Sequence, residues 1–321
     1  MRDSDNVLGR ASTEARRPGG ADLDVLSTEE IIAQMNEEDT LVPVRISRVV
    51  PIIAKAVDEI ANQMRQGGRL IYSGAGSAGR IGVLDAAEML PTFNVPTERV
   101  WALLAGRGRG AENGESAEDD AESGRGDIAR LNLTSTDCLI GIAASGRTPY
   151  TLATLEAANE RGALTVALVC NTRTPMAAIA DIAIEVVVGP EMISGSTRLK
   201  AGTAQKLVLN QISTAVMVRL GKTYGDLMID VRPVNEKLSW RCCRIVAAAC
   251  SCAESEARRL LTLTGGDVRA AIVVGLTGVD EQVAGEIAAG YPVLREAIDV
   301  ARAKVSSTVP AGEPRVRTAA D

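Results

Sequence analysis

The stretch RLIYSGAGSAGR, residues 69–80, sets the apolar run Leu70-Ile71-Tyr72 directly ahead of glycines at 74, 76 and 79. A strand-length apolar run that breaks into a Gly-rich turn and then a helix start is the opening of a βαβ unit, because parallel strands need a crossover between them. The same pattern returns in CLIGIAASGRTP (138–149), with further apolar runs in VWALLAG (100–106), LTVALVCN (164–171) and IAIEVVVG (182–189). These runs are rich in β-branched residues and show no polar alternation, as expected of strands buried on both faces. The sequence therefore predicts an α/β fold with a doubly wound parallel sheet.

Outward from this centre, residues 1–23 are polar, contain Pro18-Gly19-Gly20, and read as a flexible N-terminal arm. Ser27-Thr28-Glu29-Glu30 has the form of a capping box opening a short helix, and a longer amphipathic helix carries Val49, Ile53, Val57, Ile60 and Met64 until Gly67-Gly68. On this reading residues 24–235 form the sheet domain with its leading helices. The segment from Arg198 to Leu220 is apolar on nearly every side in its second half and predicts a helix buried against the sheet or a subunit partner. Helical patterns then dominate, predicting a small helical C-terminal domain over 236–305 and a disordered tail over 306–321.

The chain has 321 residues, 46% hydrophobic and 24% charged, with a net charge of -6. That balance argues against a whole-surface attraction to nucleic acid or anionic lipid, so recognition of a phosphate must come from locally placed donors. Neither a signal peptide nor a membrane span is indicated, which predicts a cytoplasmic location. The six cysteines lack CxxC spacing, so no metal site is expected. Histidine is absent. This excludes Ser-His hydrolysis and His-based zinc catalysis, and leaves proton transfer to carboxylates, Lys, Tyr or Cys.

Both Gly-rich turns place backbone N-H groups at a helix start, the usual cradle of an anion. The first has GxGxxG spacing, but the second strand ends in Ala105-Gly106-Arg107 and not in the acidic residue a dinucleotide ribose needs. The candidate phosphate donors are Ser77, Gly79, Ser145, Gly146 and Thr148. Arg80, Arg147 and Lys200 rank second, since such cations also pair with neighbouring carboxylates. By residue type alone, Glu88 reads as an exposed helix residue and residues 115–120 as a solvated acidic loop.

GAGSAGRIGVLDAAE (74–88), ESAEDD (115–120), IAASGRTPY (142–150), the run from Val186 to Asn210, and GDLMIDV (225–231) together closely resemble the N-acetylmuramic acid 6-phosphate etherases. These are a branch of the sugar isomerase (SIS) domain proteins, and the resemblance runs from about Thr13 to the C-terminal helices. It implies a lyase that cleaves the C3 lactyl ether to N-acetylglucosamine 6-phosphate and D-lactate, with no cofactor. It further implies a homodimer whose active site is shared between subunits. Glu88 matches the family's proton-donating glutamate and Glu118 its second catalytic glutamate. Ser77 and Ala78 stand where the family usually has Thr and Ser, Met89-Leu90-Pro91 replaces Cys-Pro-Pro, and Ser116 replaces a Gly. A non-catalytic sugar-phosphate sensor and an aldose-ketose isomerase are the competing expectations.

Overall fold

The computed structural model describes residues 12–18, 22–106, 116–231 and 236–308. Helices α1 (Thr28–Ser47) and α2 (Val50–Arg65) precede β1 (Leu70–Gly74), and α3 (Gly76–Phe93) leads to β2 (Val100–Leu104). A 3-10 turn (Ser116–Asp119) and α4 (Ala121–Leu131) precede β3 (Cys138–Ile142), followed by α5 (Pro149–Asn159), β4 (Leu164–Val169), α6 (Pro175–Ile179), β5 (Ile182–Glu185) and α7 (Lys200–Arg219). The five strands form one parallel sheet in the order β2-β1-β3-β4-β5.

Strands β1 and β3 are buried along their whole length, because helices cover both faces. On one face α4, α5 and α6 bring Ile128, Leu155 and Met176 against Ile71, Leu139 and Ala167. On the other, Gly82 of α3 sits against Tyr72 and Ile142, with α2 and α7 in the same layer. The capping box is present: Glu30 N donates to Ser27 Oγ (3.3 Å) and Ser27 N to Glu30 Oε2 (2.8 Å). The helix it opens is longer than its local pattern predicts, running 20 residues with Pro43 inside it.

A second compact unit comprises Thr92–Asn94 and the chain from Leu220. It holds a short hairpin, β6 (Thr223–Tyr224) with β7 (Leu227–Met228), then α8 (Glu236–Cys250), α9 (Glu254–Leu263), α10 (Val268–Thr277), α11 (Glu281–Gly290) and α12 (Leu294–Thr308). Ile229 and Val231 share a core with Val246, Leu260, Ile272, Ile287 and Ile298. The unit therefore begins ahead of residue 236, where helical periodicity alone placed the boundary. Helix α12 also carries 306–308, which the sequence reading gave to the tail; 309–321 lie outside the described residues.

The expected flexible arm is corrected for its residues 12–18. Thr13 is fully buried, its carbonyl accepts from Gly195 N (3.3 Å), and Ser194 Oγ donates to Glu14 O (3.0 Å). Residues 1–11 and 19–21 lie outside the described residues. Among the described residues no single helix is long and apolar enough to cross a membrane.

Candidate active site

The strand order decides where a ligand can sit. From β1 the chain crosses to β2 on one side and from β3 to β4 on the other, so the crevice of a doubly wound sheet opens between β1 and β3. Both Gly-rich turns leave these two strands at that edge, and Gly74 is paired in register with Ile142. The sequence gives each turn separately; the pairing makes them neighbours.

In the first turn, Gly79 N donates to Ala75 O (3.0 Å). The Gly79 amide is thus committed to the first turn of α3, and the amides ahead of it, at Gly76, Ser77 and Ala78, form the open positive end of the helix. A Cβ on Gly79 would stand 2.5 Å from Gly74 O and 2.6 Å from Leu104 Cδ1. Glycine at 79 therefore acts through close packing of helix on strand, which sets the position of the donors. Ser77 and Arg80 are exposed at this end.

In the second turn Gly146 has φ +65°, and a Cβ there would lie 2.5 Å from Thr174 Cβ. Arg147 N donates to Ser145 Oγ (3.2 Å), which occupies an acceptor site of that hydroxyl and leaves its O-H to donate to a ligand. Thr148 is the N-cap of α5 without a side-chain cap bond, and Pro149 follows it. Arg147 lines a shallow depression with Arg173, Thr174 and Glu185, on the β4–β5 side of the turn.

Glu118 is exposed in the 3-10 turn. Its neighbour Ala117 packs against a cluster of Ala75, Ala105 and Tyr150, which ties the Glu118 turn to the loops after β1 and β2 and to the start of α5. Asp120 then caps α4, accepting from Ser123 N (2.9 Å). Glu118 thus belongs to the same sheet edge as the two glycine turns.

Glu88 does not. It is exposed on α3, and at 1.5 Å per residue it lies about 18 Å along the helix axis from Gly76. Within the chain Glu88 is therefore away from the α3 start, beside which the Glu118 turn packs. One turn before Glu88, Asp85 is buried and accepts from Tyr72 Oη (2.7 Å) and Ser213 Oγ (3.1 Å), joining β1, α3 and α7. Burial pushes the Asp85 carboxyl above its ordinary value, the two hydroxyls and the charge of Lys206 act against this, and the charge of Glu88 adds to it.

Because folded Asp85 holds its proton more tightly than unfolded aspartate, its contribution to stability is complete at acid pH. That contribution is lost as pH rises from 3.8, the ordinary aspartate value, through the folded one. Asp85→Asn keeps an acceptor for Tyr72 and cannot ionise. The stability difference, variant minus wild type, should move in favour of the variant between acid and neutral pH in urea unfolding; a pH-independent difference would refute the reading.

Lys200 is placed elsewhere than the sequence reading had it. Its side chain is buried and its Nζ donates to Glu38 Oε2 (2.6 Å), holding that carboxyl below its usual range. Arg17 donates to the other Glu38 oxygen (3.4 Å), so Lys200 serves a bridge between α1, α7 and the N-terminal segment. The start of α7 is capped by buried Glu191, which accepts from Lys200 N and Ala201 N (both 3.0 Å).

Three buried polar residues of the site region went unread in the sequence: Asp85, Asn171 and Glu191. Asn171 carried a usable signal, since it stands just past a buried parallel strand at the ligand-bearing edge. Among the described residues, no group of three or more His, Cys, Asp or Glu is placed to hold a metal.

A parallel sheet with hydroxyl-bearing turns at the β1/β3 crevice defines a SIS-domain protein. Residues 121–215 match the SIS domain family model, and residues 52–159 match that of the glucokinase regulatory protein N-terminal SIS domain. The chain is 52% identical over 281 residues to the N-acetylmuramic acid 6-phosphate etherase of Streptomyces avermitilis, covering 87% of this chain and 90% of the relative. It is 48% identical over 295 residues to that of Rhizobium rhizogenes, covering 91% and 95%. A phosphoheptose isomerase structure from Francisella tularensis is similar at a TM-score of 0.48 and 18% identity, covering 60% of this chain and 100% of that one. The chain belongs to the N-acetylmuramic acid 6-phosphate etherase family.

Proposed function

We propose that this chain cleaves the C3 lactyl ether of N-acetylmuramic acid 6-phosphate with water, giving N-acetylglucosamine 6-phosphate and D-lactate. The observation that carries the reading is 52% identity over nearly the whole chain to an etherase, with Glu88 and Glu118 both present in a chain that has no histidine. In the ring-opened sugar the C2 proton is acidified by the adjacent aldehyde, and the lactyl oxygen is β to it. A base removes the C2 proton, the C3–O bond breaks, and an acid protonates the departing lactate. Water then adds at C3 while C2 regains a proton. Two carboxylates suffice for these transfers, and Glu88 and Glu118 are the residues assigned to them.

The phosphate is assigned to Ser77, Ser145, Thr148 and the amides of the two glycine turns, with Gly79 and Gly146 shaping them, and Arg80 and Arg147 at the margins. The site is completed by a second copy of the chain. The separation of Glu88 from the α3 start supports this, as do the exposed Leu84 and Leu90 on α3 and the apolar groove between α2 and α7 lined by Val50, Ile53 and Val218. A cytoplasmic location fits the free cysteines and a phosphorylated cell-wall sugar as substrate.

The match to the glucokinase regulatory protein N-terminal SIS domain gives the sensor reading its one specific support. Incubating purified protein with N-acetylmuramic acid 6-phosphate, without added metal, separates the two. Stoichiometric D-lactate release is expected, and binding of the sugar phosphate without release would overturn the etherase in favour of the sensor.

A further inference from the structure

Asn171 uses its whole side chain at the sheet edge. Its Oδ1 accepts from Ser12 N (2.8 Å) and Ser12 Oγ (2.9 Å), and its Nδ2 donates to Thr13 Oγ1 (3.0 Å) and to Ala144 O (3.0 Å). Ala144 is the residue before Ser145, and its carbonyl also accepts from Cys170 N (3.0 Å). The chain after β4 supports the turn a second time, where Met176 N at the start of α6 donates to Gly146 O (3.1 Å) and Thr174 packs against Gly146. Thr13 and Glu14 are in turn held by Gly195 and Ser194, in the segment that leads into α7. Asn171 and Thr13 are 5% and 0% exposed, so these bonds form in a site where an unmade bond is costly.

We infer that Asn171 is a positioning residue for the Ser145–Thr148 turn, and that the buried Thr13 segment is a working part of the substrate site through it. This rests on the etherase reading above. A left-handed Gly146 lets the turn follow the Ala144 carbonyl. Fixing that carbonyl through both a backbone amide and a side-chain amide holds the Ser145 and Thr148 hydroxyls where a phosphate meets them. The effect should therefore fall on phosphate binding and leave the proton transfers at C2 and C3 largely alone.

Asn171→Asp keeps the shape and the acceptor for Ser12 but turns a carboxylate oxygen toward Ala144 O and Thr13 Oγ1. It should raise KM for N-acetylmuramic acid 6-phosphate, and the inhibition constant of inorganic phosphate, each about tenfold, with kcat changed less than about threefold. Thr13→Val should move both constants in the same direction, Thr13→Ser should restore them, and the two lesions combined should be less than additive. A fall in kcat at unchanged KM, or an unchanged phosphate inhibition constant in both single variants, would overturn the inference. If Asn171→Asp does not fold, the Thr13 pair carries the test. Failure of the wild type to release D-lactate would sink the etherase reading; the phosphate affinities, then read by calorimetry, would still decide the positioning role.

Discussion

Glu88→Gln and Glu118→Gln should each lower D-lactate release by about a thousandfold, the size expected when one general acid or base is lost. Coexpressed in equal amounts, the two dead variants should recover about a quarter of wild-type activity if Glu88 and Glu118 of one site come from different subunits. Half of the dimers formed at random are then mixed. Each mixed dimer holds one site with both lesions and one with neither. The geometry motivates the test: Glu118 rides on Ala117 against Ala75 beside the first glycine turn, whereas Glu88 sits about 18 Å down α3 from that turn. Were both glutamates of one site from the same chain, every site in the mixture would keep one lesion and activity would stay at the single-variant level.

Gly79→Ala should destabilise the sheet domain. The added Cβ would stand 2.5 Å from Gly74 O and 2.6 Å from Leu104 Cδ1, and the first of these is backbone that cannot rotate away. Overpacking of this kind costs about 1–3 kcal/mol, and the better helix propensity of alanine returns about 1 kcal/mol. The packing term wins because the nearest atom is backbone, so a net loss of about 1 and at most about 2 kcal/mol is expected in urea unfolding, with a raised KM as α3 lifts from β1. Gly126→Ala is the control: it lies within α4 with open space around it and should gain up to about 1 kcal/mol. Equal effects at the two positions would show that helix propensity, and not the approach to β1, governs residue 79.

The five strands, the two glycine turns and the C-terminal helices were legible because each is a local signal. A continuous apolar run implies burial on both faces, and a glycine ahead of a helix start implies an open amide end. The capping box at Ser27 was legible for the same reason, but its helix was not read to its full length. Its later turns carry only Val42 and Ile46 as buried residues, too few to print a clear periodicity. The arm was misread because Ser12, Thr13 and Arg17 are polar: hydrogen bonds to Asn171, Gly195 and Glu38 hold them, and such bonds have no hydrophobic period. The pairing of Lys200 was not legible for a related reason, since its partner Glu38 lies far away in sequence.

By itself the sequence determined the parallel α/β class, the absence of histidine chemistry and, through resemblance, the family. Only the tertiary structure decided that the turns after β1 and β3 are neighbours, that Lys200 is spent on Glu38, that Asp85 is a buried carboxyl between two hydroxyls, and that Glu88 stands away from the α3 start, beside which the Glu118 turn packs. The physical reason is range. Burial and helix-start signals act over a few residues and leave a periodic trace. Strand order and side-chain hydrogen bonds join residues far apart without one, 68 positions for Gly74 and Ile142, 128 for Asp85 and Ser213 and 162 for Lys200 and Glu38, and are fixed only when the sheet has closed.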